Sequence, residues 1–336
     1  MKRPRVLVTR GLPGRAIEYL GEHTEVEVWP DEMPPPPEAL RASAASCHGL
    51  LTLLTDRVDA ALLDAAPELL VVSNMATGFD NVDVEAANRH AVLATRTPGV
   101  LTDTTADFAF ALILAAGRRV VEGDRYVREG RWKTWGPETL LGHDVHGATL
   151  GIVGMGRIGR EVARRATGFG MRILYNSRER KPDAERELGA EFSDLDDLLR
   201  ESDFVSLHTA LTPDTRQIIN AATLRIMKPT AVLVNTGRGQ LVDQAALFEA
   251  CRDGVIAGAA LDVTDPEPMP AGDPLLTLPN VIVTPHIASA SVATRSRMAM
   301  MAVENLVTGL RGDMPEHTVN PEIADAWRVR VGRLLA

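Results

Sequence analysis

Cysteine is scarce in this chain of 336 residues, with only Cys47 and Cys251. Two thiols cannot build a disulfide framework and supply too few ligands for a zinc site. They fit a reducing cytoplasm, which is the compartment expected. Lysine is rare as well, at positions 2, 133, 181 and 228 only, so arginine carries most of the positive charge. Lys and Arg number 36 against 45 Asp and Glu, a net charge of −9. No basic run stands out of the kind a nucleic-acid-binding face requires, so no nucleic-acid partner is expected. Long apolar runs are missing too. The longest, 108–116, is far short of the ~20 residues of a membrane helix. The apolar run after the basic start MKRPR is only Val6-Leu7-Val8, below the ~7–15 residues of a secretory signal. Neither export nor membrane association is expected. What remains is a globular composition, 45% apolar and 24% charged, long enough at about 150 residues per domain for roughly two domains.

Short β-branched runs alternate with helical patterns almost throughout. Strands are expected at 6–8, 26–28, 50–53, 70–73 and 92–94, with helices such as 14–20 and 59–65 between them. Pro34-Pro35-Pro36-Pro37 reads as a stiff connecting loop. A long helix is expected from Thr102 to about Arg119, apolar around most of its circumference and therefore buried on several sides. Periodicity is lost over 130–147, where Trp132 and Trp135 lie. A second series follows, with strands at 150–153, 172–175, 204–207, 231–234, 258–262 and 281–284. Helical patterns separate them except before the last, where a cluster of prolines favours a loop. Such alternation gives parallel sheets with helices on both faces. The expected fold is therefore α/β, with two doubly wound parallel-sheet domains. A helix near 292–309 comes too late to join the second sheet.

Gly154-Met155-Gly156-Arg157-Ile158-Gly159 is a G-x-G-x-x-G that follows the apolar LGIV and opens a helical pattern. That context is the dinucleotide-binding fingerprint. Gly154 permits a tight turn, Gly156 lets the backbone approach a pyrophosphate, and Gly159 lets helix pack on strand. Arg157 and Ile158 open the helix whose N-terminus offers N–H donors to the anion. An acidic residue ~20 positions on would bind the ribose of NAD. The sequence there is Asn176-Ser177-Arg178-Glu179-Arg180-Lys181. A hydroxyl at Ser177 and a cation at Arg178 suit a 2′-phosphate, so NADP(H) is the expected preference, with NAD(H) as the second choice.

Ligands of open α/β sheets bind beyond the carboxyl ends of the strands. Those positions in the second series deliver Arg238, Glu267 and His286 to one edge of one sheet. A 2-oxo acid needs a cation for its oxygens, which Arg supplies as a planar fork. Reduction of its carbonyl needs a proton donor, the role of His, and a carboxylate bonded to that ring would hold it and favour its charged form. Thr236 and His208 are expected to line the cofactor groove. His23, His48, His90 and His317 read as surface or loop residues. His143 and His146 have no third ligand nearby, so no metal is expected.

With these residues in place, the chain resembles the D-isomer-specific 2-hydroxyacid dehydrogenases, and among them the glyoxylate/hydroxypyruvate reductases. The resemblance spans residues 6–319 and rests on TPGVLTDTTAD (97–107), LGIVGMGRIGR (150–160), VNTGRGQLVD (234–243), LDVTDPEP (261–268) and TPHIASA (284–290). It implies that Arg238, Glu267 and His286 are catalytic. It also implies that the backbone N–H groups of Thr77 and Gly78 bind the substrate carboxylate and that Asp262 meets the nicotinamide amide. The implied architecture is a Rossmann coenzyme domain, residues 100–286, inserted in a flavodoxin-like substrate domain, residues 1–99 and 287–336. A homodimer is implied, built through the long helix and the tryptophan loop. The expected reaction is NAD(P)H-dependent reduction of glyoxylate or hydroxypyruvate to the 2-hydroxy acid, with His286 as proton donor. Glu138-Thr139 follows Trp135-Gly136-Pro137 where some of these reductases carry a second bulky residue, which leaves the substrate open, 2-ketogluconate included. The alternatives are a D-3-phosphoglycerate, D-lactate or phosphite dehydrogenase and, in another class, a corepressor-like binding module.

Overall fold

Val6 and Val8 turn to one side of strand β1 (Arg5–Val8) and Leu7 to the other, the period of two that a pleated strand imposes. This alternation sets the layers of the first unit in the computed structural model, which describes residues 3–335. The unit comprises Met1–Leu101 and Ala290–Ala336. Its elements continue with α1 (Ala16–His23), β2 (Glu25–Val28), α2 (Pro37–Ala44), β3 (Gly49–Thr52), α3 (Ala60–Ala65), β4 (Val71–Asn74), α4 (Val84–Arg89) and β5 (Leu93–Thr95). The strands form one parallel sheet in the order β2-β1-β3-β4-β5, the flavodoxin-like order. Helices α2, α3 and α4 cover the face that holds Leu7, Leu50 and Val72. At the reversal between β1 and β3 the polar side chains bind one another. The Asp56 carboxylate accepts from Thr9 Oγ1 and the Leu53 N–H, and Asn81 Nδ2 donates to the Asp56 carbonyl.

The second unit is Thr102–Ser289. It opens with α5 (Thr102–Gly117) and α6 (Val120–Arg128). Seven parallel strands follow: β6 (Thr149–Val153), β7 (Arg172–Asn176), β8 (Glu191–Phe192), β9 (Phe204–Leu207), β10 (Val232–Asn235), β11 (Gly258–Leu261) and β12 (Val281–Val283). Their order is β12-β11-β10-β9-β6-β7-β8. Helices α7 (Arg157–Thr167) and α8 (Pro182–Leu188) pack with α5 on one face, and α9 (Leu195–Glu201), α10 (Ala221–Ile226) and α11 (Gln244–Arg252) on the other. The chain then returns to the first unit. There α12 (Val292–Leu310) and α13 (Ala324–Leu335) join α1 over Val6, Val8, Leu51 and Val71. Ser73 Oγ donates to the Ala302 carbonyl at 2.7 Å, and Trp327 of α13 is fully buried.

At three points the structure differs from what the sequence leads one to expect. The proline run is not all loop, because Pro37 opens α2, where its missing N–H costs nothing and its fixed φ suits the first turn. The long helix begins at Thr102 and ends at Gly117, close to the expected end. Arg119 is left-handed (φ +52°) and forks onto Glu122 at 2.8 and 2.7 Å while donating to the Leu141 carbonyl, and α6 starts anew. The two-residue strand β8 is additional to the expected strands. His48 is buried rather than superficial, its Nδ1 accepting the Arg5 N–H at 3.0 Å.

Candidate active site

The strand order of the second sheet reverses between β9 and β6, and the turns after these two strands meet. Gly154 has φ +102°, and the main chain of His208 and Thr209 occupies the space where a β-carbon would lie. Helix α7 then starts from Gly156 with no side-chain cap, so its first N–H groups are unsatisfied from within the helix. Gly156 and Arg157 are exposed, Ile158 is half-buried and Gly159 is buried beneath the turn. His208 Nε2 lies 2.8 Å from Ser206 Oγ, and burial pushes its pKa down to about 4, so the ring is neutral at physiological pH. In the turn after β10, Thr236 is buried and its hydroxyl has no hydrogen-bond partner among the described residues. An uncapped helix terminus, an open glycine and an orphaned hydroxyl along one sheet edge fit a dinucleotide.

Beyond β7 the cations are not equivalent. Arg180 forks onto Glu185 at 3.1 and 2.9 Å, and Tyr175 donates to the same carboxylate at 2.6 Å. Lys181 lies 3.5 Å from Glu179, and Ser177 Oγ donates to the Glu179 carbonyl. Arg178 is exposed and has no partner among the described residues. Of the three cations in this turn, Arg178 alone is unengaged there.

Arg238, Glu267 and His286 stand on three successive turns, after β10, β11 and β12. Asn235 shapes the first turn, donating from Nδ2 to the Arg238 carbonyl (2.8 Å) and accepting the Gly237 N–H (3.0 Å). Gly239 brings this turn against the next, since a β-carbon there would collide with the Thr264 carbonyl. His286 Nδ1 lies 2.6 Å from Glu267 Oε1, which joins the second turn to the third. His286 has φ +54°, an unfavourable conformation for a residue with a β-carbon. It is held by the end of β11. Its N–H donates to the Asp262 carbonyl (2.9 Å), while the Asp262 carboxylate accepts Thr284 Oγ1–H (2.7 Å) and the N–H groups of Ile287 and Ala288 (2.8 Å each). Asp262 is 1% exposed.

Thr77 and Gly78 belong to the first unit, in the loop after β4. Asn74 Nδ2 donates to the Gly78 carbonyl and to Asn81 Oδ1, both at 3.0 Å, and Thr77 Oγ1 donates to the Thr97 carbonyl at 3.1 Å. The Thr77 and Gly78 N–H groups have no hydrogen-bond partner among the described residues. No group of His, Cys, Asp and Glu among the described residues could hold a metal ion.

The model of the NAD binding domain of D-isomer specific 2-hydroxyacid dehydrogenases matches residues 110–288. The chain belongs to this family. It is 56% identical over 322 residues to the glyoxylate reductase of Korarchaeum cryptofilum, covering 96% of this chain and 97% of that one. Among solved structures, the TT0316 protein of Thermus thermophilus superposes with a TM-score of 0.89 at 51% identity, covering 94% of this chain and 99% of that one. The NADPH-dependent glyoxylate/hydroxypyruvate reductase of Sinorhizobium meliloti, determined with NADP and malonate, gives 0.84 at 34% identity, covering 95% and 97%.

This chain is thus a D-2-hydroxyacid dehydrogenase of the glyoxylate reductase type, and its fold is that of a nicotinamide-dependent enzyme. The sequence reading missed the residues that support the dehydrogenase's site: Asn235, Thr284, Asn74 and Asn81. Asn74 carries a signal in the sequence, as a polar residue that closes a buried strand.

Proposed function

We propose that this dehydrogenase reduces a small 2-oxo acid, glyoxylate or hydroxypyruvate, to the 2-hydroxy acid, with NADPH preferred over NADH. The observation that carries this reading is the 2.6 Å bond between His286 and Glu267 next to the turn that bears Arg238. With Glu267 ionised, Nδ1 carries the proton of that bond and Nε2 exchanges a proton with substrate. When bound, the reduced nicotinamide supplies the hydride. His286 protonates the carbonyl oxygen as charge grows on it, and Arg238 forks onto the substrate's oxygens. The Thr77 and Gly78 N–H groups take the carboxylate. Gly154, Gly156, Arg157, Ile158 and Gly159 hold the pyrophosphate, His208 and Thr236 line the groove, and Asp262 offers its remaining acceptor position to the nicotinamide amide.

Arg178 supports the NADPH preference, because a 2′-phosphate would give it a charge-assisted partner. The relative from Sinorhizobium meliloti is NADPH-dependent. A homodimer is supported by α6, which buries no residue and exposes Val120, Val121 and Val127, and by the exposed Trp132, Trp135 and Leu141 that follow. Apolar surface of this extent marks an interaction site. Two unpaired, buried cysteines fit a reducing cytoplasm.

The test is a panel of glyoxylate, hydroxypyruvate, 2-ketogluconate, pyruvate and 3-phosphohydroxypyruvate with each cofactor. Glyoxylate or hydroxypyruvate should give the highest kcat/KM. A higher value for any other acid would overturn the substrate assignment, and tenfold faster turnover with NADH, ~1.4 kcal/mol, the cofactor assignment. Sedimentation at micromolar concentration tests the dimer.

A further inference from the structure

Arg96 has no part in the site described so far. It follows β5, and its main chain is held from two sides. Its N–H donates to the His317 carbonyl at 3.1 Å, and its carbonyl accepts from Asn305 Nδ2 of α12 at 3.1 Å. Its guanidinium Nη1 donates to the Thr77 carbonyl at 3.3 Å, and its Cζ lies 5.3 Å from the centre of the Phe79 ring, within cation–π range. The next residue, Thr97, donates its N–H to the Ala76 carbonyl at 2.8 Å.

These two carbonyls belong to the peptide units that carry the Thr77 and Gly78 N–H groups. Both units are trans, and a planar trans peptide points its N–H away from its C=O. By holding the Ala76 and Thr77 carbonyls, segment 96–97 turns both N–H groups to the opposite side, where paired main-chain N–H groups make an anion cradle. A guanidinium on the Thr77 carbonyl also polarises that amide, so the Gly78 N–H becomes the stronger donor.

We infer that Arg96 is a positioning residue for anionic substrates. It fixes the Thr77–Gly78 peptide with its N–H outward and places a positive charge behind it. A 2-oxo acid is thereby favoured over a neutral carbonyl compound. The inference rests on the proposal that Thr77 and Gly78 hold the substrate carboxylate.

The test compares wild type, Arg96→Met and Arg96→Lys in the full chain with saturating NADPH, using glyoxylate and the neutral methylglyoxal. Arg96→Met should raise KM for glyoxylate about tenfold, equivalent to ~1.4 kcal/mol. Its kcat for glyoxylate and its KM for methylglyoxal should stay within about twofold of wild type. Arg96→Lys, which keeps the charge, should recover most of the loss. An unchanged glyoxylate KM, an equal rise for both compounds, or a lysine variant as impaired as the methionine one would each overturn the inference. Where Arg96→Met does not fold, Arg96→Gln removes the charge while keeping an amide donor and is read the same way. Wild type that binds glyoxylate no better than methylglyoxal would refute the carboxylate cradle itself. Discrimination that is undiminished in Arg96→Met would refute only the role of Arg96.

Discussion

Replacing Asp262 by Asn changes one atom type and should release the turn that carries His286. The carboxylate receives three donors, two on Oδ1 and one on Oδ2. The best placement of an Asn side chain keeps its oxygen at Oδ1 and turns its NH2 toward the Ala288 N–H. Two bonds survive without their charge, at a cost of about 1 kcal/mol each, and a buried N–H is left unpaired at about 1–3 kcal/mol. With Asp262 only 1% exposed, water has little access to the unpaired N–H. The expected destabilisation is about 3–5 kcal/mol. It should appear in urea unfolding as a lower midpoint at unchanged slope. Because His286 sits at φ +54°, which costs about 1–2 kcal/mol, a released turn will relax and kcat should fall by at least about tenfold. Thr284→Val removes one of the three bonds and should cost about 1–2 kcal/mol. If Asp262→Asn unfolds within about 0.5 kcal/mol of wild type, the ordinary range for surface changes, and keeps its kcat, the tether does not exist.

Other outcomes follow from the same geometry. His286→Ala should lower kcat by about 10²–10⁴-fold and leave the dissociation constant for NADPH, read by fluorescence titration, within about twofold. Arg178→Ala should lower kcat/KM with NADPH by about tenfold, ~1.4 kcal/mol, and leave that with NADH nearly unchanged; equal losses would remove Arg178 from the 2′-phosphate. His208 titrates at about 4 in the folded protein, against 6.5 for the free residue. The unfolded chain therefore takes up its proton first, and stability is lost as pH falls from 6.5 to 4, by at most ~3 kcal/mol. His208→Gln should flatten that part of the pH–stability curve, and an unchanged slope would contradict the burial of the ring.

The fold class was readable because strands buried on both faces are short continuous apolar runs, and the helices between them keep their own period. Gly49–Thr52 and Phe204–Leu207 are fully buried strands of this kind. The placement of Arg238, Glu267 and His286 at neighbouring strand ends was also legible, since parallel strands with regular crossovers leave few orders to consider. What stayed hidden depends on single long-range hydrogen bonds. Nothing local marks Asp262 as the acceptor for Ile287 and Ala288, or Arg96 as the donor to Thr77. The break at Arg119 rests on its bonds to Glu122 and Leu141, and the burial of His48 on the Arg5 N–H. Strand β8 is too short to show a period.

The route of the chain through the first unit also governs how the protein is made. The sheet face that bears Val6, Val8, Leu51 and Val71 is closed by α12 and α13, which lie beyond residue 290. On the ribosome these strands emerge before α12 and α13, and the whole of Thr102–Ser289 is synthesised in between. That face is therefore completed only after the second unit has been made. A product cut short before Val292 keeps a finished coenzyme unit but exposes a broad aliphatic surface, which invites aggregation and proteolysis. The path of the backbone thus ties closure of that sheet face to segments more than 180 residues downstream, and only a chain that extends through α13 can cover it.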